Sequence, residues 1–152
     1  MTVVVEAVAA SDASVAALLA ELTIELAGGG YTAEQTFGYS IAQLADRGVH
    51  LVGAWQGGTL VGVGGVELAD DGTGELKRFY VLPGHRGAGV ADAILAALVS
   101  LARSRGAVAL LLETGDKQHA AMAFYRRNGF HEVPRFGPYV NSATSVCMRR
   151  AL

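Results

Sequence analysis

Glu75-Leu-Lys-Arg-Phe-Tyr-Val-Leu-Pro-Gly-His-Arg-Gly-Ala-Gly-Val-Ala91 reads as a strand, a turn at Pro83-Gly84, and a small-residue loop that opens a long helix near Val90. A loop of this kind leaves backbone N–H groups unpaired at the start of a helix, with the positive end of the helix dipole behind them. Gly87 and Gly89 carry no side chain to hold a bulky anion away. Together these features describe a phosphate cradle. The simpler alternative is a glycine-rich turn from strand to helix that holds no ligand.

Two strands precede this stretch, Val49 to Trp55 and Thr59 to Leu68, joined by a turn at Gln56-Gly57-Gly58. A second turn at Asp70-Asp71-Gly72 leads into the strand from Thr73 to Leu82, so short connections make these three an antiparallel meander. Beyond the loop, Ala91, Ile94, Leu95, Leu98 and Leu101 form the buried stripe of a helix ending at Arg103 to Gly106. Val108 to Leu112 is an unbroken apolar run, the pattern of a strand buried on both faces. A short helix is expected from Lys117 to Asn128, stopped by Asn128-Gly129, and strands at Phe130 to Val133 and Thr144 to Arg149. Before the meander, Thr2 to Val8 reads as a strand. Ser11-Asp12 then caps a helix carrying Val15, Leu18, Leu19, Leu22 and Leu26, which Gly28-Gly29-Gly30 ends. A further helix is expected from Thr32 to Arg47, with Phe37, Ile41 and Leu44 on one face. The order predicts an α+β (mixed α/β) fold: a central twisted, mostly antiparallel sheet of about seven strands with helices on both faces.

The 152 residues fit one domain spanning 1–152, without repeats or a dividing linker. With 51% hydrophobic and 17% charged residues the chain is expected to fold around a proper core. A net charge of −2 argues against nucleic acid as the main partner. No basic segment precedes an apolar stretch at Met1 to Glu6, and the longest apolar helical run, Val90 to Ala102, is too short to span a bilayer. A cytoplasmic protein without a membrane partner is the expectation. Cys147 is the only cysteine and reads as a small core residue. His50, His85, His119 and His131 show no metal-ligand spacing, so no metal is expected.

Arg86-x-x-Gly89-x-Ala91 resembles the Arg/Gln-x-x-Gly-x-Gly/Ala signature of the GNAT superfamily of acyl-CoA-dependent N-acetyltransferases. Ala123-Phe-Tyr-Arg-Arg-Asn-Gly-Phe130 is similar to that family's Leu/Phe-Tyr-x-x-x-Gly-Phe segment, and the two motifs stand in the family's order. The element order resembles the GNAT fold along essentially the whole chain. The resemblance implies acetyl-CoA as cosubstrate and a V-shaped splay between the fourth and fifth strands, where the pantetheine arm enters. It implies a pyrophosphate held by Arg86, Gly87, Ala88, Gly89, Val90 and Ala91. Gln118 stands where many members carry an Asn that touches the cofactor.

Acetyl transfer to an amine needs a neutral amine, stabilisation of a developing oxyanion and a proton for the departing thiolate. A thiol with pKa about 8.5 leaves readily, whereas an alkyl amine with pKa near 10 is mostly protonated at neutral pH. Tyr125 matches the family's tyrosine beside the coenzyme sulfur and is implied as general acid; otherwise it is a core aromatic. Glu75, at the start of the fourth strand, resembles the placement of the catalytic glutamate in some members, acting through water. Glu113 is its rival, and could equally bind the acceptor's ammonium or pair with Lys117. By family analogy a backbone N–H on the fourth strand, at Val81 or alternatively Leu82, meets the oxyanion. Strand alternation sets Lys77 and Arg78 on opposite faces, where either could meet an anionic acceptor, although a solvated face is the simpler expectation.

A P-loop is missing its Gly-Lys-Ser/Thr, and a dinucleotide fold would need a third glycine at the position of Asp92. The alternatives to a small-molecule N-acetyltransferase are a protein or peptide amine acetyltransferase and a non-catalytic acyl-CoA sensor. By family analogy the acceptor pocket draws on Tyr31, Phe37, Phe136 and Tyr139. A small-molecule amine is the expected acceptor, and a homodimer is an open expectation because dimers are common among relatives.

Overall fold

The computed structural model describes residues 2–152; Met1, the first residue of the expected span, lies outside them. Seven strands form one sheet in the order β1-β2-β3-β4-β5-β7-β6. They are β1 (Val4–Val8), β2 (His50–Gln56), β3 (Thr59–Leu68), β4 (Thr73–Val81), β5 (Ala109–Gly115), β6 (His131–Val133) and β7 (Ser145–Ala151). Gly57 and Gly58 both adopt positive φ, which closes the tight hairpin between β2 and β3. All strand pairs are antiparallel except β4 with β5.

The helices are α1 (Ala13–Gly28), α2 (Ile41–Asp46), α3 (Val90–Ser104) and α4 (His119–Arg127). On one face α1 presents Val15, Leu18, Leu19 and Leu22 to Leu51, Leu60, Val63 and Tyr80, joined by Leu44 of α2. On the other, Ile94, Leu95 and Leu98 of α3 pack with Val61, Val66, Leu76 and Leu110, and Tyr125 of α4 joins that cluster. Gly62 and Gly64 of β3 let α3 approach: a Cβ at either would lie 2.7 Å from Ile94.

Three expectations are corrected. The helix expected over Thr32 to Arg47 is a 3-10 turn at Ala33–Gln35, an irregular stretch, and the short α2. The capping box of Ser40 with Gln43 starts α2 late, and Gly38 lies against the Arg78 guanidinium, so the chain there follows a tertiary contact. Ile41 is 40% exposed while Leu44 is fully buried, so the expected common face does not form. At the start of β5, Val108 lies outside the strand and is 60% exposed, whereas Ala109, Leu110 and Leu112 are buried as expected.

Candidate active site

The site begins with how briefly β4 and β5 pair. Only Thr73, Gly74 and Glu75 lie beside Ala109, Leu110 and Leu111; beyond them the strands part. From Leu112 onward β5 is paired only on its β7 side. A wedge therefore opens between the second half of β4 and the end of β5. The N–H of Leu82 donates to the carbonyl of Val61 at 2.9 Å, which makes the neighbouring Gly62–Val81 pair non-hydrogen-bonded. The Val81 N–H thus points away from β3, into the wedge, and Leu82 is already committed to the sheet.

A bulge shapes the middle of β4. Val63 faces Tyr80 and Gly65 faces Lys77, so Arg78 and Phe79 together oppose Gly64. Arg78 adopts a positive φ of 53°, the only non-glycine among the described residues to do so. Its guanidinium reaches α1, where Nη2 donates to the Leu19 carbonyl at 3.1 Å and to Thr23 Oγ1 at 2.8 Å. The bulge breaks the alternation expected for Lys77 and Arg78. Both side chains lie on the α1 side and line a cavity, and neither occupies a solvated face.

That cavity, about 510 Å³, runs from the irregular segment before α2 through the wedge to the start of α3. At the α3 end lie Arg86, Gly87, Gly89, Ala91, Asp92 and Arg127. Gly87 and Gly89 hold φ of 77° and 84°, which side-chain-bearing residues adopt at a cost. Gly89 is the N-cap residue of α3 and, having no side chain, leaves the first-turn N–H groups uncapped. Arg86 is anchored: Nε donates to the Val81 carbonyl at 2.8 Å, and Nη2 bridges both oxygens of Glu25 at 2.9 and 3.0 Å. Val90 turns its side chain into the core. Ala88 and Val90 are not among the residues that line the cavity.

Midway, Tyr125 and Gln118 line the wall. The Tyr125 ring is buried among Phe79, Phe124 and Phe130, with centroids 6.1, 5.4 and 5.6 Å away. Burial pushes its phenol well above the ordinary range, so it stays protonated. Among the described residues no side chain or backbone group bonds its hydroxyl.

At the far end stand Phe37, Gly38, Tyr39, Lys77, Arg78, Glu113 and Tyr139. Lys77 is buried and its ammonium meets Glu75 at 2.7 Å, Tyr139 Oη at 3.1 Å and the Tyr39 ring face at 4.3 Å. Tyr139 in turn donates to Glu75 at 2.6 Å. Burial first, and then the Glu75 carboxylate, drives the Tyr139 phenol far above its usual pKa. Burial, with a hydrogen bond to Glu67, likewise pushes Tyr39 up to about 12. Glu75 itself does not line the cavity; it sits behind Lys77 and Tyr139. Glu113 does line it, and accepts 2.5 Å from Ser145, whose one proton leaves it to accept in turn from Ser142. Burial raises the Glu113 carboxyl, partly offset by that hydrogen bond. The expected alternative pairing of Glu113 with Lys117 is not seen; the Lys117 ammonium lies 3.5 Å from the Gly30 carbonyl.

The structure thus gathers Tyr125, Val81, Arg86, Gly87, Gly89, Ala91, Gln118, Tyr31, Phe37 and Tyr139 around one cavity. Phe136 packs edge-on against Tyr139, with centroids 5.4 Å apart, without reaching the wall. Arg78 and Tyr39 line the cavity; the sequence left Arg78 between an anionic acceptor and a solvated face, and nothing in it marked Tyr39. Among the described residues no cluster of His, Cys, Asp or Glu could hold a metal ion, and no helix is long and apolar enough to cross a membrane.

The model of the acetyltransferase (GNAT) family matches residues 17–130. A protein of Azospirillum brasilense named IAA acetyltransferase is 36% identical over 123 residues, 80% of each chain. The crystal structure of a Klebsiella pneumoniae protein assigned as an acyl-CoA N-acyltransferase superposes with a TM-score of 0.87 at 35% identity, covering 99% of this chain and 98% of that one. The PaiA N-acetyltransferase of Thermoplasma acidophilum, solved with coenzyme A, shares the fold at a TM-score of 0.81 and 17% identity, over the full length of both.

Proposed function

The chain belongs to the GNAT family of acetyltransferases, and from that membership we propose that it moves an acetyl group from acetyl-CoA to the primary amine of a small molecule, by direct attack with both substrates bound. One observation carries the reading: the uncapped glycine loop, the outward Val81 N–H and the unpartnered Tyr125 hydroxyl open onto the same cavity. These residues fit coenzyme A. Arg86 and the N–H groups from Gly87 to Ala91 would hold its pyrophosphate, and Gln118 would flank the pantetheine arm. A Cβ-free surface at Gly87 and Gly89 has no protein atom within 4 Å, which leaves the loop open to a bulky anion.

Acetyl-CoA, when bound, supplies an activated acyl carbon and a thiolate leaving group. The amine nitrogen bonds to that carbon as the carbon–sulfur bond breaks. The Val81 N–H donates to the carbonyl oxygen as charge develops on it. Tyr125 delivers its proton to the departing sulfur and takes back the second proton that the attacking nitrogen sheds as it becomes an amide. The ammonium proton of the acceptor passes to Glu113, whose burial-raised carboxyl suits a base better than a solvated one. Glu75, first expected in that role, is held by Lys77 and Tyr139 and is assigned to positioning them. The relative named as an IAA acetyltransferase accords with a small-molecule acceptor.

The test is calorimetric binding of acetyl-CoA followed by release of free thiol with pooled small amines. Binding with amine-dependent release is expected. Binding without release from any pool would leave a non-catalytic acyl-CoA sensor, and absence of binding would overturn the reading of the loop.

A further inference from the structure

The two ends of the cavity differ in how their charges are balanced. At the acceptor end, Lys77 is neutralised by Glu75 at 2.7 Å. Arg78 has no such partner: among the described residues no carboxylate lies within ion-pair distance of it. Its Nη2 donates to a carbonyl and a hydroxyl, and its Nε is buried with no hydrogen-bond acceptor at all. Glu113 is the mirror case, a carboxylate bonded only by the Ser145 hydroxyl and paired with no cation. One uncompensated cation and one uncompensated carboxylate therefore line the same cavity. Charges withdrawn from water without counter-charges are costly, and both are satisfied at once by a ligand carrying the opposite pair.

The backbone is also spent on this placement. Arg78 reaches the cavity only because it takes the extra position of the β4 bulge at positive φ, a conformation disfavoured for any side-chain-bearing residue. Gly38 leaves the space its guanidinium fills, since a Cβ there would collide with Nη1. The rings of Phe37, Tyr39 and Tyr139 line the same cavity.

Resting on the transferase reading of the cavity, we propose that the acceptor is an amino acid with an aromatic or apolar side chain, its carboxylate held by Arg78 and its amine directed to Glu113. With Nη2 committed to Leu19 and Thr23, the charge and remaining donors of the guanidinium suit a carboxylate, and the rings supply an apolar wall for the side chain.

Wild-type protein is given acetyl-CoA and matched sets of acceptors: each apolar and aromatic amino acid, its methyl ester, and the amine left by removing its carboxyl. Charge-assisted hydrogen bonds to the carboxylate predict kcat/KM about 30-fold higher for the preferred amino acid than for its ester or amine. Arg78→Gln should erase that advantage by raising the amino acid KM, with the acetyl-CoA KM unchanged. Gly38→Ala, which displaces the guanidinium, should act in the same direction. If Arg78→Gln does not fold, the wild-type comparison decides alone. Equal or better use of esters and amines overturns the proposal. So does acetyl-CoA binding with turnover confined to acceptors that lack a carboxylate, or with no turnover of any amino acid. Failure to bind acetyl-CoA instead overturns the transferase reading beneath it.

Discussion

Tyr125→Phe separates the chemistry of one hydroxyl from the packing of one ring. The ring's edge-on contacts with Phe79, Phe124 and Phe130 are worth about 0.5–1.5 kcal/mol each beyond simple burial, and phenylalanine keeps them all. Because the hydroxyl has no partner within the protein, its removal leaves no donor or acceptor orphaned. The stability change should stay below the roughly 0.5–1.5 kcal/mol typical of a lost hydrogen bond, a shift in Tm of under about 2 °C. Catalysis should respond very differently. General-acid assistance contributes about 10²–10⁴-fold, and a thiol of pKa about 8.5 needs little of it, so the lower end applies. A loss of about 100-fold corresponds to about 2.7 kcal/mol of transition-state stabilisation. The assay is single-turnover thiol release at saturating acetyl-CoA, which isolates the chemical step from product release. The deficit should narrow above pH about 8.5, where the thiolate departs without a proton. A single-turnover rate within threefold of wild type would remove Tyr125 from the mechanism. A large fall in Tm would assign the hydroxyl a structural part instead.

Gly89→Ala forces a side chain into the left-handed region at φ 84° with no steric collision to confuse the result. It should cost about 1–2 kcal/mol, visible in thermal unfolding, and weaken coenzyme A binding in calorimetry. Glu113→Gln should lower kcat and flatten the rise of kcat/KM with pH that a carboxylate base produces. The same variant should gain stability at neutral pH. The raised carboxyl of Glu113 favours the fold while protonated, and that contribution is lost as pH climbs from the ordinary 4.5 through the raised value. Thermal melts of both proteins across that window check the sign. Glu75→Gln leaves the buried Lys77 ammonium without its anion and should destabilise by about 2–4 kcal/mol in urea unfolding, with Glu75 only 18% exposed to soften the loss. A neutral outcome would mean the pair is screened or dispensable.

Much of this was legible in the chain itself. Turn glycines, the α3 stripe and the Asp12 cap fix most elements because each depends on neighbours in sequence. That the loop and Tyr125 would share one cavity was legible through motif resemblance, since the motif residues stand at a fixed spacing. What escaped depends on distant partners. Nothing local marks Arg78 as the residue that takes the bulge, since the extra position is measured against Gly64 on another strand. Glu75 carries the right residue type at the right end of β4, yet Lys77 and Tyr139 draw it behind the wall, and Tyr139 comes from a loop far along the chain. The segment before α2 looks helical by its apolar spacing and is set by Gly38 against Arg78 instead.

The early parting of β4 and β5 has a consequence beyond the reaction. A sheet normally has two rims, and this one carries a further pair inside it, where backbone groups of two strands face a gap. A ligand lying in that gap would act as a surrogate strand, stitching two half-sheets that the chain alone joins over only three residue pairs. Any ligand that fills the gap in the folded state alone adds about 2.7 kcal/mol at a hundred times its Kd. On the transferase reading proposed above, the protein's resistance to unfolding, and with it its exposure to proteolysis, is expected to track the supply of acetyl-CoA.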